Sequence, residues 1–557
     1  MSKIYNAKLG LLETWVVNNS SWLALGIVFA AFAIRLVHAD SCYLNPDEAL
    51  HFSMARPSSW LGAYDASRTL AHPPLFILVL HAIVFFGRTE LILRLPSLVG
   101  GTAALWLTFL WIRRCLGEIP ALAGLGFMAL SPAAISASTE VRQYGLLLFF
   151  LCGSLYATER ALTERSTIWA IIQGLFLISA LLTHYTAIVV IASLGLYVLL
   201  RSLLDSVPRS ILFTIGAFYL VLGTLLGCLY FEQVRGSIPF GPAASMDYLQ
   251  PYYYTATRET PLGFAWRALH ETFYYAVRAG RLTFFFMLIF LAGLAALLTG
   301  RTKAGRLMAL VILSPLAVGF AAAVFHVFPF AGSRHQMYLL PFLAAGIAAA
   351  LAWPPRGRAV PLLLLGVIIA PLWATRTAPD NDRRVQPMGD MTAAIDYVVR
   401  MVPQEAPLFV DGETFNLLTY YLARNDKNLD TWPGAQWNTE ERIGGYRVVV
   451  VVPGKESVEK FRADEALDQV NESGRALGVP PSDHLWVVSA AWQEASLASR
   501  IPALGDCEVR EFGRISVIKT LPRGPQAYQV LPCLSGMSIY SAVVRPGHLR
   551  RAPWPLL

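Results

Sequence analysis

The sequence predicts a polytopic α-helical membrane protein with about eleven transmembrane helices, followed by a soluble α/β domain. Hydrophobic residues make up 55% of its 557 residues and charged residues only 15%, whereas an ordinary soluble protein has about 25% charged residues. Apolar runs recur from residue 22 to residue 373. Beyond residue 376 the composition becomes more polar, and short apolar runs alternate with amphipathic ones.

The distribution of positive charge indicates membrane topology rather than nucleic-acid binding. The net charge is +8 and the isoelectric point about 9.1, but Lys and Arg lie mainly in short loops between apolar runs, as on the cytoplasmic side of membrane proteins. We therefore expect no nucleic-acid partner. Lys3 and Lys8 predict a cytoplasmic N-terminus, and the first apolar run, which no small-residue cleavage site follows, is interpreted as a retained anchor.

The apolar runs define the predicted crossings. Residues 75–86 are only about twelve apolar residues long, where a crossing needs about twenty, and are interpreted as an interfacial or re-entrant helix in the first outer loop. With this choice, every short loop that is placed inside is basic or carries Arg, and the C-terminus lies outside. Residues 231–281 are predicted to be a long polar outer loop. The predicted crossings are 22–38, 94–114, 121–137, 145–156, 168–182, 186–200, 211–230, 282–298, 307–328, 337–353 and 360–373.

The predicted domains are a transmembrane domain over 1–375, a linker over 376–384 and an extracytoplasmic α/β domain over 385–557. The last domain contains neither a P-loop nor a GxGxxG motif, so it has no recognisable nucleotide site of its own. Its predicted elements are helices over 391–402, 415–423 and 456–477, strands over 407–410, 447–454 and 484–489, and a hairpin over 509–520.

The six cysteines do not indicate a structural zinc site. None belongs to a CxxC pair or a Cys/His cluster. Cys507 and Cys533 would be able to form a disulfide if their domain lies in an oxidising compartment.

On this topology, polar residues from separate segments converge on the outer face of the membrane. Taken singly, most of them have a simple structural explanation: the acids cap a helix, the arginines reach lipid head groups and the tyrosines lie in an aromatic belt. His184 hydrogen-bonds internally, and His72 caps a helix that begins with Pro. Convergence of so many segments favours a functional site. The candidate residues are Asp47, Glu48, His72, Arg142, Tyr144, His184, Tyr185, Arg334 and His335.

This set combines a carboxylate base with arginines suited to binding a phosphate. The combination suits a reaction whose donor is a membrane lipid carrying a phosphorylated group. A nucleotide-dependent reaction would need a cytoplasmic site, and the inner loops are too short to build one.

Four motifs in order give the chain a resemblance to the GT-C glycosyltransferases. They are Asn45-Pro46-Asp47-Glu48-Ala49, His72-Pro73-Pro74-Leu75, Arg94-Leu95-Pro96-Ser97 and Glu140-Val141-Arg142-Gln143-Tyr144. The chain looks most like bacterial relatives of the protein O-mannosyltransferases and the lipid A aminoarabinose transferase, in glycosyltransferase family 39. The resemblance covers about the first 375 residues, and the soluble tail fits the periplasmic domain of many relatives.

The resemblance implies an enzyme of the inner (plasma) membrane that transfers a sugar from a polyprenyl-phosphate donor to an acceptor hydroxyl on the outer face, with inversion. It implies that Asp47 is the catalytic base or orients the acceptor, with Glu48 as its weaker neighbour. His72 occupies the position before Pro-Pro, where relatives have His or Lys near the acceptor or the donor phosphate. Arg334 matches a position thought to hold the lipid phosphate, although His335 replaces the usual Tyr. Arg142, Tyr144 and His184 are further candidate donor or substrate contacts.

Several questions stay open at the level of sequence. Some GT-C branches use a divalent metal and others do not, and the spacing of Asp47, Glu48, His72 and His184 as candidate ligands does not decide it. The acceptor is a lipid, a glycan or a protein, and the sugar is a hexose or a pentose. Two alternative functions are a transporter or lipid flippase and a non-catalytic anchor for the soluble domain. The lack of an inverted or parallel repeat in the sequence argues against the transporter or flippase.

Overall fold

The computed structural model describes residues 11–69, 72–235, 247–278, 280–300, 302–352, 366, 369–370, 373, 387–426, 440–451, 486–490 and 507–520. Two compact units are present. The first contains residues 1–391 and 416–436, and the second contains 392–415 and 437–557. The predicted linker over 376–384, the predicted helix over 456–477 and Cys533 lie outside the described residues.

The first unit is a helical bundle with buried apolar side chains between its helices. Short 3-10 or π-helical turns lie at Tyr230–Val234, Asp247–Tyr252, Arg334–Leu339 and Ala350–Ala352. Its α-helices are α1 (Ser20–Ser41), α2 (Pro46–Ala55), α3 (Trp60–Thr69), α4 (Pro74–Val84), α5 (Glu90–Leu116), α6 (Glu118–Leu130), α7 (Pro132–Thr139), α8 (Tyr144–Thr163), α9 (Thr167–Thr183), α10 (Ala187–Leu204), α11 (Arg209–Leu229), α12 (Pro261–Val277), α13 (Gly280–Thr299), α14 (Lys303–Val324) and α15 (Leu340–Ala349).

Length and hydropathy confirm a multi-pass membrane protein. Within the described residues, seven helices are long and apolar enough to cross a membrane, or eight if the bent pair α6–α7 forms one span. Helix α4 has 11 residues, which is too short for a crossing. The total of eleven crossings stays a prediction, because most of the last one, 360–373, lies outside the described residues.

Helix α2 begins abruptly because its first residues cap one another. Pro46 occupies the first turn, where its missing N–H costs no hydrogen bond. The Asn45 side chain accepts a hydrogen bond from the Glu48 N–H, and the Glu48 carboxylate accepts one from the Asn45 N–H, each 2.8 Å long. The helix dipole favours the two acidic residues in this turn. The orientation of Asp47 is therefore set by a rigid helix start.

A 60° bend separates α6 from α7. Pro132 cannot continue the hydrogen-bond pattern of α6, so carbonyl groups at the end of that helix need other partners. Arg35 of α1, which is completely buried, donates to the carbonyl oxygens of Met128 and Ala129 at 3.1 and 2.9 Å. The bend directs α7 toward the loop that carries Arg142.

The outer segment predicted as a polar loop over 231–281 contains a 17-residue helix, α12. This difference has a local cause. Thr260 accepts a hydrogen bond from the Gly263 N–H, and Pro261 follows it as the first helical residue. Phe264 and Ala268 then lie one turn apart on a buried face. The aromatic residues of this segment favoured an interfacial interpretation, which obscured this helix start.

The second unit contains a six-stranded mixed sheet with the order β2-β3-β1-β4-β6-β5. Strand β1 pairs in parallel with β3 and β4, and the remaining pairs are antiparallel. This confirms the predicted α/β module, including its terminal hairpin. The strands are β1 (Leu408–Asp411), β2 (Glu440–Ile443), β3 (Tyr446–Val451), β4 (Trp486–Ser489), β5 (Cys507–Phe512) and β6 (Ile515–Thr520), with helix α16 (Met388–Met401) before β1.

Residues 416–426, which include the end of helix α17 (Gly412–Ala423), belong to the first unit. The Tyr420 hydroxyl donates to the carbonyl oxygen of Arg88, and the Leu44 N–H donates to the Tyr421 hydroxyl oxygen, both at 2.8 Å. Leu44 directly precedes the cap of α2. This part of the chain therefore supports the segment that carries Asp47.

Candidate active site

Asp47 is held between two arginines from distant parts of the chain. Arg142 Nη1 and Arg334 Nη1 each lie 2.5 Å from Asp47 Oδ2. The Arg142 side chain is 5% exposed, whereas the Asp47 side chain is 31% exposed. The carboxylate is thus the more exposed group of this pair. Burial alone would raise the pKa of Asp47, but the charges of Arg142 and Arg334 outweigh burial and hold it well below its usual range.

The backbone around Arg142 is fixed by three neighbouring segments. Ser97 Oγ of α5 donates to the Arg142 carbonyl oxygen at 2.6 Å, and the Val141 N–H donates to Glu48 Oε1 at 2.7 Å. Gly145 allows α8 to approach α5 closely, because a Cβ there would lie 2.3 Å from the Ser97 carbonyl oxygen. The position of Arg142 is therefore fixed by packing and by hydrogen bonds of the surrounding backbone, rather than by contacts of its own side chain.

Glu48 points away from Asp47, into a buried ion pair. Arg94 Nε and Nη2 each lie 2.9 Å from one Glu48 carboxylate oxygen, and both side chains are 2% exposed. Arg94 also donates to the carbonyl oxygens of Ala39, Cys42 and Tyr43. With the N–H groups of Asn45 and Val141 added, the Glu48 carboxylate accepts four hydrogen bonds. This geometry favours a structural role over contact with substrate.

The two acids do not fit a metal site in this arrangement. Asp47 is paired with two arginines, and Glu48 is enclosed with a third. Over the part of the chain that the structure describes, no three His, Cys, Asp or Glu side chains come together in a way that would hold a metal ion. His72 and His184, the other candidate ligands, lie beside different partners.

A buried histidine absent from the predicted site, His51, lies beneath Asp47. One turn later on α2, its Nδ1 lies 2.6 Å from the Asp47 carbonyl oxygen. Its ring lies 5.1 Å from that of His72 and 5.6 Å from that of Phe76, between centroids. Burial, and then the Arg142 charge, lower the pKa of His51 well below its usual value and that of His72 to about 4. Both rings are neutral at physiological pH.

Tyr144, His184 and His335 continue the cluster on the other side of Arg142, whereas the hydroxyl of the predicted residue Tyr185 donates to Gln233 Oε1 at 2.7 Å. The Arg142 guanidinium lies 5.6 Å from the Tyr144 ring centroid, and Tyr144 lies 5.4 Å from His184. His184 is 6.3 Å from His335. Burial, followed by the charge of His335, lowers the pKa of His184 well below its usual value. Asp47, His72, Arg142, Tyr144, His184, Arg334 and His335 therefore form one connected group.

The Arg142-Gln143-Tyr144 motif has unused hydrogen-bonding capacity. Among the residues that the structure describes, Arg142 Nε, Gln143 Oε1 and the Tyr144 hydroxyl are buried without a hydrogen-bond partner, and so is His51 Nε2. Buried polar groups normally have partners. A concentration of such atoms around Asp47 favours a polar binding site there.

Sequence reasoning missed His51, Gln143 and Arg94 as parts of the site and its support. His51 follows Asp47 by four residues, so the two share one face of the predicted helix. Helical spacing would have identified it. No local pattern indicates that Arg94 pairs with Glu48, 46 residues away.

A family model supports the resemblance to GT-C glycosyltransferases over part of the chain. Residues 71–226 match the family described as dolichyl-phosphate-mannose-protein mannosyltransferase. This segment contains His72, Arg142, Tyr144 and His184, whereas Asp47 and Arg334 lie outside it. A comparison with curated protein sequences gives no significant match.

Solved structures show a distant likeness. ArnT from Cupriavidus metallidurans bound to undecaprenyl phosphate aligns with 91% of this chain and 100% of its own, with a TM-score of 0.49 and 15% identity. The archaeal oligosaccharyltransferase AglB from Archaeoglobus fulgidus, in complex with an inhibitory peptide and a dolichol-phosphate, aligns with 92% of this chain and 75% of its own, with a TM-score of 0.46 and 14% identity.

Proposed function

Because residues 71–226 match the mannosyltransferase family model, we propose that this protein is a GT-C glycosyltransferase of the plasma membrane. It transfers a sugar from a polyprenyl-phosphate donor to an acceptor hydroxyl on the outer face. The acceptor is a lipid, glycan or protein. The observation that carries the proposal is the partly exposed Asp47 held between two arginines, beside buried polar groups that lack partners among the described residues.

In the proposed reaction the acceptor oxygen attacks the anomeric carbon from the face opposite the phosphate. A new carbon–oxygen bond forms while the bond from the anomeric carbon to the phosphate oxygen breaks, which inverts the configuration. The bonding electrons leave with polyprenyl phosphate, and Asp47 accepts the hydroxyl proton. Arg334 and Arg142 stabilise the negative charge on the departing phosphate, and Tyr144, His72 and His184 line the surrounding site.

The ion pairs of Asp47 suggest how the donor activates this base. With both guanidinium groups on Oδ2, the carboxylate has a low proton affinity and is a weak base. A bound phosphate competes with Asp47 for the same two guanidinium groups, because arginine binds phosphate and carboxylate with similar geometry. As the arginines turn toward the phosphate, the pKa of Asp47 rises toward its usual range. The base thus becomes effective when the donor is in place.

The direct test is release of polyprenyl phosphate by the purified full-length protein. Donors with undecaprenyl phosphate linked to glucose, mannose, N-acetylglucosamine or aminoarabinose are incubated with protein and a membrane-envelope extract as the acceptor source. We expect release from at least one donor by the wild type and none by Asp47→Asn. A transporter or a non-catalytic anchor would release none in either form, and that result would contradict the proposal. Equal release by both forms would exclude Asp47 as the base.

A further inference from the structure

A narrow pocket next to His51 is lined mainly by apolar surface, unlike the arginine pair around Asp47. It is lined by His51, His72, Pro73, Phe76, Ile77, Gln143 and Thr183. The pocket has no room for a saccharide ring, so a sugar would contact it only through a protruding hydroxyl or amino group. Its wall is formed by apolar side chains from the start of α4.

The hydrogen-bond partner of His51 Nδ1, the Asp47 carbonyl oxygen, determines which ring nitrogen of His51 carries the hydrogen. Nδ1 faces a carbonyl oxygen, which can only accept, so Nδ1 carries the hydrogen. In the neutral ring, Nε2 is therefore an acceptor. It is buried and has no partner among the described residues. The burial that lowers the pKa of His51 keeps the ring in this form at neutral pH.

Gln143 supplies a second acceptor to the same pocket. Its side-chain oxygen is also buried without a partner in the described part of the chain, and the residue is 2% exposed. Two buried lone-pair acceptors repel a phosphate, which at neutral pH offers mainly acceptor oxygens. They attract a group that carries O–H or N–H donors. Phosphate is instead favoured at Arg142 and Arg334, so the two halves of the site have complementary preferences.

We propose that His51 Nε2 and Gln143 Oε1 bind hydroxyl or amino groups of the donor sugar. This inference rests on the proposed function and assigns the sugar-selecting contacts of the same site. His51 and Gln143 are specificity-determining residues, whereas the arginine pair binds the phosphate common to all donors.

His81 provides a matched control within the same bundle. Its Nδ1 also faces a backbone carbonyl oxygen, that of Ala55, at 2.8 Å, and its buried Nε2 lacks a partner among the described residues. Its ring packs between Trp60 and Phe85 instead of lining the pocket. Replacing His81 thus causes the same chemical change without touching the proposed sugar contacts.

The test uses the full-length protein and the donor that the wild type uses best. His51→Asn retains a donor near the Nδ1 position and removes the Nε2 acceptor, and Gln143→Leu removes the second acceptor. We expect kcat/KM for the sugar donor to fall about three- to tenfold in each variant, the equivalent of one hydrogen bond. Inhibition by sugar-free undecaprenyl phosphate should stay unchanged. His81→Asn should keep the wild-type kcat/KM.

Deoxy analogues of the donor provide a second measurement. A donor that lacks the bound hydroxyl should react as slowly with the wild type as with the variant, because the contact is already lost. Unchanged kcat/KM in both variants, or equal weakening of sugar donor and sugar-free undecaprenyl phosphate, would overturn the sugar subsite while leaving the transferase intact. A wild type that releases no polyprenyl phosphate from any donor would overturn the proposed function and, with it, this subsite.

Discussion

Arg334 Nη1 lies 2.5 Å from Asp47 Oδ2, although 287 residues separate the two in sequence. The contact joins the 3-10 turn before α15 to the first turn of α2. It links the carboxylate proposed to accept a proton with the guanidinium proposed to hold the donor phosphate. The following predictions test whether this pair and its neighbours work as proposed.

Asp47→Asn should lower transfer by about 10²- to 10⁴-fold, the range typical of a lost acid–base group. The amide keeps the size of the side chain but accepts no proton from the acceptor. Initial rates of undecaprenyl phosphate release measure the effect. Asp65→Asn is the matched control, because Asp65 is an exposed acid of the same outer segment whose partner is Arg68. Comparable losses in both variants would argue against a specific role of Asp47.

Arg334→Ala should raise the KM for the lipid donor at least tenfold, whereas Arg334→Lys should retain part of the affinity. Lysine keeps the positive charge but lacks the planar, two-pronged geometry of arginine. The measurement is the dependence of rate on donor concentration. Arg68→Ala, at an exposed position, should leave the KM as it is. An unchanged donor dependence in Arg334→Ala would contradict a phosphate role.

Glu48→Gln should destabilise the fold by about 3–5 kcal/mol, because it leaves Arg94 charged and buried without its carboxylate. Thermal unfolding of the detergent-solubilised protein measures this loss. Asp47→Asn should lower the melting temperature less, since Asp47 remains partly exposed. If Glu48→Gln removes activity without changing stability, Glu48 contacts substrate, and the structural role favoured by its geometry is wrong.

The pH below which activity falls should differ between the free enzyme and the donor complex. In the free enzyme the arginines lower the pKa of Asp47, so the carboxylate stays ionised and kcat/KM should remain flat down to about pH 4. In the donor complex, where phosphate draws the arginines away, the pKa is higher, and kcat should fall at a higher pH. Superimposable profiles for kcat and kcat/KM would argue against the competition between phosphate and carboxylate.

The lowered pKa of Asp47 also predicts how the stability of the substrate-free protein depends on pH. An ionised Asp47 stabilises the fold above its unfolded-state pKa of about 3.9, and this contribution disappears as pH falls through its lower folded-state value. Acid unfolding of the substrate-free protein should therefore begin at a higher pH in Asp47→Asn. Circular dichroism in detergent at decreasing pH measures the midpoint, with Asp65→Asn as the control.

The amino-acid sequence by itself determined the membrane class, most helix positions and the candidate residues. Apolar run length and the placement of arginines are one-dimensional signals that the bilayer imposes directly. The motifs around Asp47, His72 and Arg142 could likewise be found without coordinates. Helix α12 was missed because an interfacial aromatic segment and a helix with a buried apolar face have similar composition. Only the burial of its side chains in the folded protein distinguishes the two.

Only the tertiary structure decided which acid faces which arginine. Asp47 and Glu48 are adjacent in sequence and chemically alike, yet successive helical residues point about 100° apart. Asp47 therefore meets Arg142 and Arg334 at a partly exposed surface, while Glu48 meets Arg94 in the interior. The division of roles between two neighbouring carboxylates arises from packing among segments far apart in the chain, which no local pattern encodes.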